Sequence, residues 1–197
     1  LDAEDRKNTA SIQAENMRRI LFSLNDDVRV VLIKLADRLH NCRTIEYMPE
    51  HKRDKILAET MYIFIPLAHR LGLYGVKNEM ENIWLKFTEP AEYREITARI
   101  QESESLRSSQ IDEFIEPIAK SLESEGFRFE IKKRIKSTYS VWRKMHTKQI
   151  PFEQIYDLYA VRIVFSSVAN SKESERDQCY HIFSIITSIY KYQPSRV

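Results

Sequence analysis

Apolar residues recur at steps of three and four through the first two thirds of the chain. From Asp27 onward they fall at Val28, Val31, Leu32, Leu35, Leu39 and Cys42, which lie on one face of a helix. Met48-Pro49-Glu50 breaks that helix. The next is predicted from about Lys52 to Arg70, stopping before Gly72 and Gly75. Another starts near Val76, carries Met80, Ile83 and Trp84, and runs toward Phe87. Pro90 opens a helix with Tyr93, Ile96 and Ile100, and a separate one spans about Gln110 to Glu123 and ends at Gly126. After Gly126 the period becomes two. Phe127, Phe129 and Ile131 alternate with Arg128, Glu130 and Lys132, as in a half-buried strand. A short helix follows at about Thr138 to Lys148, closed by Pro151. Tyr159 to Phe165, rich in β-branched and aromatic residues, is a second strand. A polar loop, Ser166 to Ser171, leads to a helix bearing Tyr180, Phe183, Ile186 and Tyr190. The predicted fold class is α+β, predominantly α. Two strands seldom form a stable sheet alone, so the sheet is expected to be incomplete within this chain.

Composition narrows the function classes. The chain has 197 residues, 43% hydrophobic and 30% charged, with a formal charge of +2, as expected of a soluble globular protein rather than a disordered one. Only three glycines are present, which excludes a Gly-rich phosphate loop of the P-loop or dinucleotide-binding kind. Cys42 and Cys179 match no metal spacing and are expected as free thiols in a reducing, cytoplasmic setting. No apolar run approaches the roughly 20 residues of a membrane span, so no membrane partner is expected. The first residues are acidic and polar, unlike a signal peptide, and lack an initiator Met, so the chain is expected to be an excised or processed piece.

Charge is segregated. Glu79 to Glu130 holds thirteen acids and six bases, whereas Ile131 to Phe152 holds seven bases and no acid. Two constellations carry possible chemistry. On the helix after Asp27, Lys34, Asp37, Asn41 and Thr44 form one polar stripe at steps of three, four and three. An acid and an amide one turn apart can hold a metal and a substrate together, and the plain alternative is a wet helix face. The second is Arg134-x-Lys136 at a strand end, Ser140 and Lys144 one turn apart on the next helix, and Asp157 before the second strand. Bases beside a carboxylate suit a nucleoside triphosphate with Mg²⁺, the bases meeting phosphate and the carboxylate meeting the metal. The plain alternative is a basic surface with a turn-forming Asp. Trp84, Trp142 and His69 read as core residues. No two histidines stand at ligand spacing, and no Ser–His–Asp or Cys–His arrangement is present.

These residues carry a family resemblance. Val31-Leu-Ile-Lys-Leu-Ala-Asp-Arg-Leu-His-Asn-Cys-Arg-Thr44 resembles the second metal-binding helix of the RelA/SpoT alarmone hydrolase domain. Glu59 to Gly72 resembles the family's connecting segment. Arg134 to Met145 and Ile155 to Arg162 resemble its synthetase core. The resemblance implies a cytoplasmic, bacterial stringent-response enzyme. It would move pyrophosphate from ATP to the 3′-hydroxyl of GDP or GTP, and hydrolyse (p)ppGpp with Mn²⁺. By resemblance, Asp37 would be a Mn²⁺ ligand, and Asn41 and Thr44 would lie beside the guanine nucleotide. Arg134, Lys136, Ser140 and Lys144 would bind ATP, and Asp157 would be the catalytic Mg²⁺ ligand. Residues 1–51 would be the end of an all-α HD-type hydrolase domain, 52–125 a connecting helical region, and 126–197 the start of a nucleotidyltransferase-like synthetase domain.

The departures set further expectations. The hydrolase's other metal ligands, a His and a His-Asp pair with the Glu-Asp that follows it, do not precede Asp37, and one carboxylate does not hold a catalytic Mn²⁺. The downstream Glu that shares Mg²⁺ and the Tyr that stacks on the acceptor guanine are missing. Arg196 stands where the metal-preference motif begins and resembles its bifunctional Arg-x-Lys-Asp form. The chain therefore reads as the middle of a longer bifunctional enzyme, inactive or nearly so by itself. Ribosome contact would run only through regions outside it, and its oligomeric state stays open. Two alternatives remain. An RNA- or ribosome-binding helical module using residues 132–148 would show salt-sensitive affinity indifferent to ATP. A non-catalytic dimerisation scaffold would be unaffected by substituting Arg134 or Lys136.

Overall fold

A computed structural model of the chain describes residues 27–166 and 174–191. Arg196, most of the polar loop after Ser166, and the residues before Asp27 lie outside them. The chain divides into two compact units, Leu1–Arg94 and Glu95–Val197. No helix of the described residues is long and apolar enough to cross a membrane.

In the first unit, α1 (Val28–Arg43) begins where the Asp27 carboxylate accepts the Arg29 backbone N–H. A 3₁₀ turn (Ile45–Tyr47) and Pro49 lead into α2 (Glu50–Glu59). The helix then widens into a π turn (Thr60–Phe64) and continues as α3 (Ile65–Arg70), so the predicted 52–70 helix holds with a bulge inside it. Gly72, at φ +72°, closes it: its N–H donates to the His69 carbonyl and that of Leu73 to the Ala68 carbonyl. Gly75 does not punctuate the chain, because it lies inside α4 (Tyr74–Thr88). The core joins Val31, Leu35 and Cys42 of α1 to Phe64, Leu67, Ala68 and Met80. Burial pushes the Cys42 thiol up, and Cys179 is a free, exposed thiol.

Two expectations here need correction. Val28 and Leu32, placed on the apolar face of α1, are 48% and 42% exposed; the packed positions are Val31, Leu35 and Cys42, with Leu39 partly buried. His69 is exposed rather than buried. Leu67 and Ala68 take the inward positions of that turn, and the imidazole lies edge-on to Tyr74.

The helices predicted after Pro90 and after Gln110 are one, α5 (Pro90–Ser124), with Pro117 inside it. Nothing breaks the backbone between them, although residues 101–110 are almost wholly exposed. Gly126, at φ +78°, ends α5 as Gly72 ends α3. The second unit then runs β1 (Arg128–Ile135), α6 (Thr138–Lys148), a 3₁₀ turn (Phe152–Gln154), β2 (Tyr159–Ser166) and α7 (Glu175–Ile189). β1 and β2 form an antiparallel pair in which Ile131 faces Ile163 and Arg134 faces Ala160. One sheet face carries Phe129, Ile131, Ile163 and Phe165; the other is exposed and largely charged.

Two cores support this unit. Ile96 and Ile100 pack with Val141, Ile155 and Leu158, joined by half-buried Trp142; Ile118 and Leu122 pack with Ile182. α7 is turned differently from its predicted face. Tyr180 and Phe183 are 61% and 53% exposed, while Gln178 and Ile182 are buried and Ile185, Ile186 and Ile189 pack against them.

Candidate functional site

The densest charged constellation sits at the end of the hairpin. Arg134 is on the exposed face of β1, and Lys136 follows just beyond the strand. The Lys136 backbone N–H donates to the Leu158 carbonyl at 2.9 Å, so the chain before β2 is held against the chain after β1. Ser137 then caps α6: its hydroxyl accepts the Ser140 N–H at 3.3 Å and lies 2.8 Å from the Ser140 hydroxyl. That cap fixes the helix whose second turn carries Lys144.

Asp157 receives both lysines. Lys136 Nζ is 2.5 Å from its Oδ2, and Lys144 Nζ is 2.5 Å from its Oδ1. The lysine side chains are 28% and 23% exposed, and the carboxylate 54%. Partial burial pushes the Asp157 carboxyl up. The hydrogen bonds and charges of the two ammonium groups together outweigh it and hold the group down at about 2. Such a lowered value stabilises the folded loop above the ordinary carboxyl range, and that contribution is lost as pH falls through about 2. Carboxyl NMR should therefore show Asp157 still ionised at pH 3, with its shift moving only below that. A midpoint near 4 would show the pairs are not kept in solution.

Arg134 has no side-chain partner among the described residues, and the Ser140 hydroxyl stays with Ser137. Of the five residues the sequence singled out here, the structure ties Lys136, Lys144 and Asp157 into one cluster. Two ammonium groups on one carboxylate leave a net positive charge and four further N–H donors, a setting that accepts phosphate oxygens. Arg162 was missed. It lies on the same exposed sheet face, opposite Lys132 in the register, and strict alternation along β2 was the signal for it.

The α1 stripe is less assembled. Asn41 Nδ2 donates to Asp37 Oδ2 at 3.2 Å, and the Thr44 hydroxyl donates to the His40 carbonyl at 3.0 Å. Asp37 and Lys34 are exposed, Asn41 and Thr44 half-buried. Among the described residues no group of three or more His, Cys, Asp or Glu could hold a metal ion. The stripe's single carboxylate and amide do not fit a catalytic Mn²⁺ by themselves. Beside the stripe, the sequence reading also missed Arg38, whose guanidinium meets Glu59 at 2.6 Å.

Comparison with known proteins places both regions. Residues 1–74 match the HD domain, and residues 133–197 match the region found in RelA / SpoT proteins. The guanosine-3′,5′-bis(diphosphate) 3′-pyrophosphohydrolase of Aquifex aeolicus is 38% identical over 94% of this chain and 26% of its own length. The GTP pyrophosphokinase rsh of Brucella ovis is 35% identical over 94% of this chain and 24% of its own. The GTP pyrophosphokinase of Myxococcus xanthus is 33% identical over 93% and 23%. The chain thus spans about a quarter of the length of these curated relatives. With both regions matched, and about one residue in three identical along nearly its whole length, the chain is similar to the corresponding quarter of RelA/SpoT proteins.

Proposed function

We propose that the chain is part of a stringent-response enzyme with two opposed activities. One transfers pyrophosphate from ATP to the 3′-hydroxyl of GDP or GTP. The other hydrolyses (p)ppGpp to GDP or GTP and pyrophosphate. The names of the relatives support both. The observation that carries the synthetase reading is Asp157 held between Lys136 and Lys144 at the end of the hairpin.

In this reading Lys136 and Lys144 leave Asp157 for ATP phosphate oxygens, and Arg134 and Ser140 complete the donor pocket. Asp157, freed of its lysines, would hold Mg²⁺, which supplies charge neutralisation on the phosphates. Moving a pyrophosphoryl group asks for positioning and electrostatic stabilisation rather than a protein nucleophile, and this residue inventory provides them. In the HD region Asp37 would contribute one Mn²⁺ ligand, and Asn41 and Thr44 would meet the guanine nucleotide. Residues 1–51, 52–125 and 126–197 would be hydrolase end, connecting helices and synthetase start. By itself the chain would hydrolyse nothing and synthesise little.

Calorimetry of Mg²⁺-ATP with the chain, beside Lys136→Ala and with circular dichroism to confirm folding, tests the donor pocket. Saturable binding weakened at least about tenfold in the variant is expected, the loss of one charge-assisted contact. Binding unchanged in Lys136→Ala, or no binding by the folded wild type, would remove the reading.

A further inference from the structure

The inward stripe of α5 changes character halfway along. Ile96 and Ile100 are buried before it, and Ile118 and Leu122 after it. Between them the same face brings Glu104, Arg107 and Ser108, and then Ile111 and Phe114, to line a cavity of about 580 Å³. Leu106 meanwhile points away and is 70% exposed.

The opposite wall of the cavity is apolar, formed by Ile135, Val161 and Ile163 of the sheet. Tyr159 also lines it, and its hydroxyl is buried without a hydrogen-bond partner. A buried, unsatisfied hydroxyl is costly, so an acceptor is missing from the bare protein. Lys133, which also lines the cavity, is committed to Asp112, whereas Arg107 makes no ion pair among the described residues. The volume is that of ordinary small-molecule pockets, which are mostly apolar with a few placed polar groups.

We propose that this cavity binds a small amphipathic organic anion. Its apolar body lies on the sheet wall, its acidic head meets Arg107, and an acceptor atom takes the Tyr159 hydroxyl. None of Lys136, Asp157 and Lys144 lines the cavity, and the proposal does not depend on the nucleotide reading.

Two fluorescent probes that share one body test it. 8-Anilinonaphthalene-1-sulfonate carries an anionic head, and N-phenyl-1-naphthylamine is the same body without it. The full chain should bind the sulfonate saturably, at one site, and more tightly than the neutral amine. Arg107→Ala should weaken the sulfonate about tenfold and leave the amine unchanged. Ser108→Trp, on an exposed helix position, should fill the cavity and abolish both with circular dichroism unaltered. Equal affinity for the two probes, equal losses for both in Arg107→Ala, or full binding in folded Ser108→Trp would each overturn the proposal.

Discussion

If Lys136 and Lys144 hold ATP phosphates as proposed, Asp157→Asn should abolish the metal dependence of ATP binding. In the wild type the carboxylate holds Lys136 and Lys144, and it would compete with phosphate for them and repel the incoming polyanion. On that reading metal-free ATP would have to displace it, and Mg²⁺ would help by giving the freed carboxylate a counter-charge. The amide removes both the competitor and the metal ligand at nearly constant shape. Metal-free ATP should then bind about tenfold more tightly than to the wild type, a change of about 1.4 kcal/mol. The enhancement by Mg²⁺ should largely disappear. Titrations of both proteins, with Mg²⁺ and with a chelator, check this. A purely structural ion pair would instead weaken both titrations together, by loosening the segment before β2. A basic surface for RNA would gain affinity in the variant whether or not Mg²⁺ was present, with a steep salt slope in each case. The pattern across the titrations therefore separates the three readings.

Much of the fold was legible because punctuation along this chain is local. Asp27, Gly72 and Gly126 do at the helix ends what their residue types permit, and the change of period after Gly126 marks β1. The continuity of α5 was not legible. Its middle, Gln101 to Gln110, has no apolar stripe to follow, because nothing packs there; the buried isoleucines on either side carry the helix across. The same gap hid the cavity, whose signature is visible only once Ile100 and Ile118 are known to share a helix. The charged cluster could be read as a set of residues, since Arg134 to Lys144 are close in sequence. The capture of both lysines by one carboxylate could not be read. It depends on the backbone bond from Lys136 to Leu158, which closes the hairpin end. His69 shows the limit of reading burial from neighbours, since one residue's step around a helix turns a side chain outward.

A large loss of stability from a single charged residue is expected at Arg38. Its side chain is 13% exposed and that of Glu59 19%, with Nη2 2.6 Å from Oε2. The guanidinium also lies 4.3 Å from the centre of the Phe64 ring. One planar group thus touches both flanks of the π turn, Glu59 before it and Phe64 at its end. Within the turn, the buried Thr60 hydroxyl donates to the Ile56 carbonyl at 2.6 Å. Arg38→Ala leaves the Glu59 carboxylate largely covered, with only Lys55 in reach at 4.0 Å. Truncating one partner of a covered pair should cost about 3 kcal/mol. Arg38→Lys keeps the charge but loses the fork and the stacking, and should cost roughly half as much. Combining Arg38→Met with Glu59→Leu should recover most of the loss, because neither charge is then stranded. Urea titrations at constant slope give these differences, and amide exchange should quicken first across residues 59–64. A cost below about 0.5 kcal/mol for Arg38→Ala is what a wet surface pair would give. In that event the π turn is held by Thr60 and the core around Phe64 alone, and Arg38 is no part of what joins α1 to the helices after it.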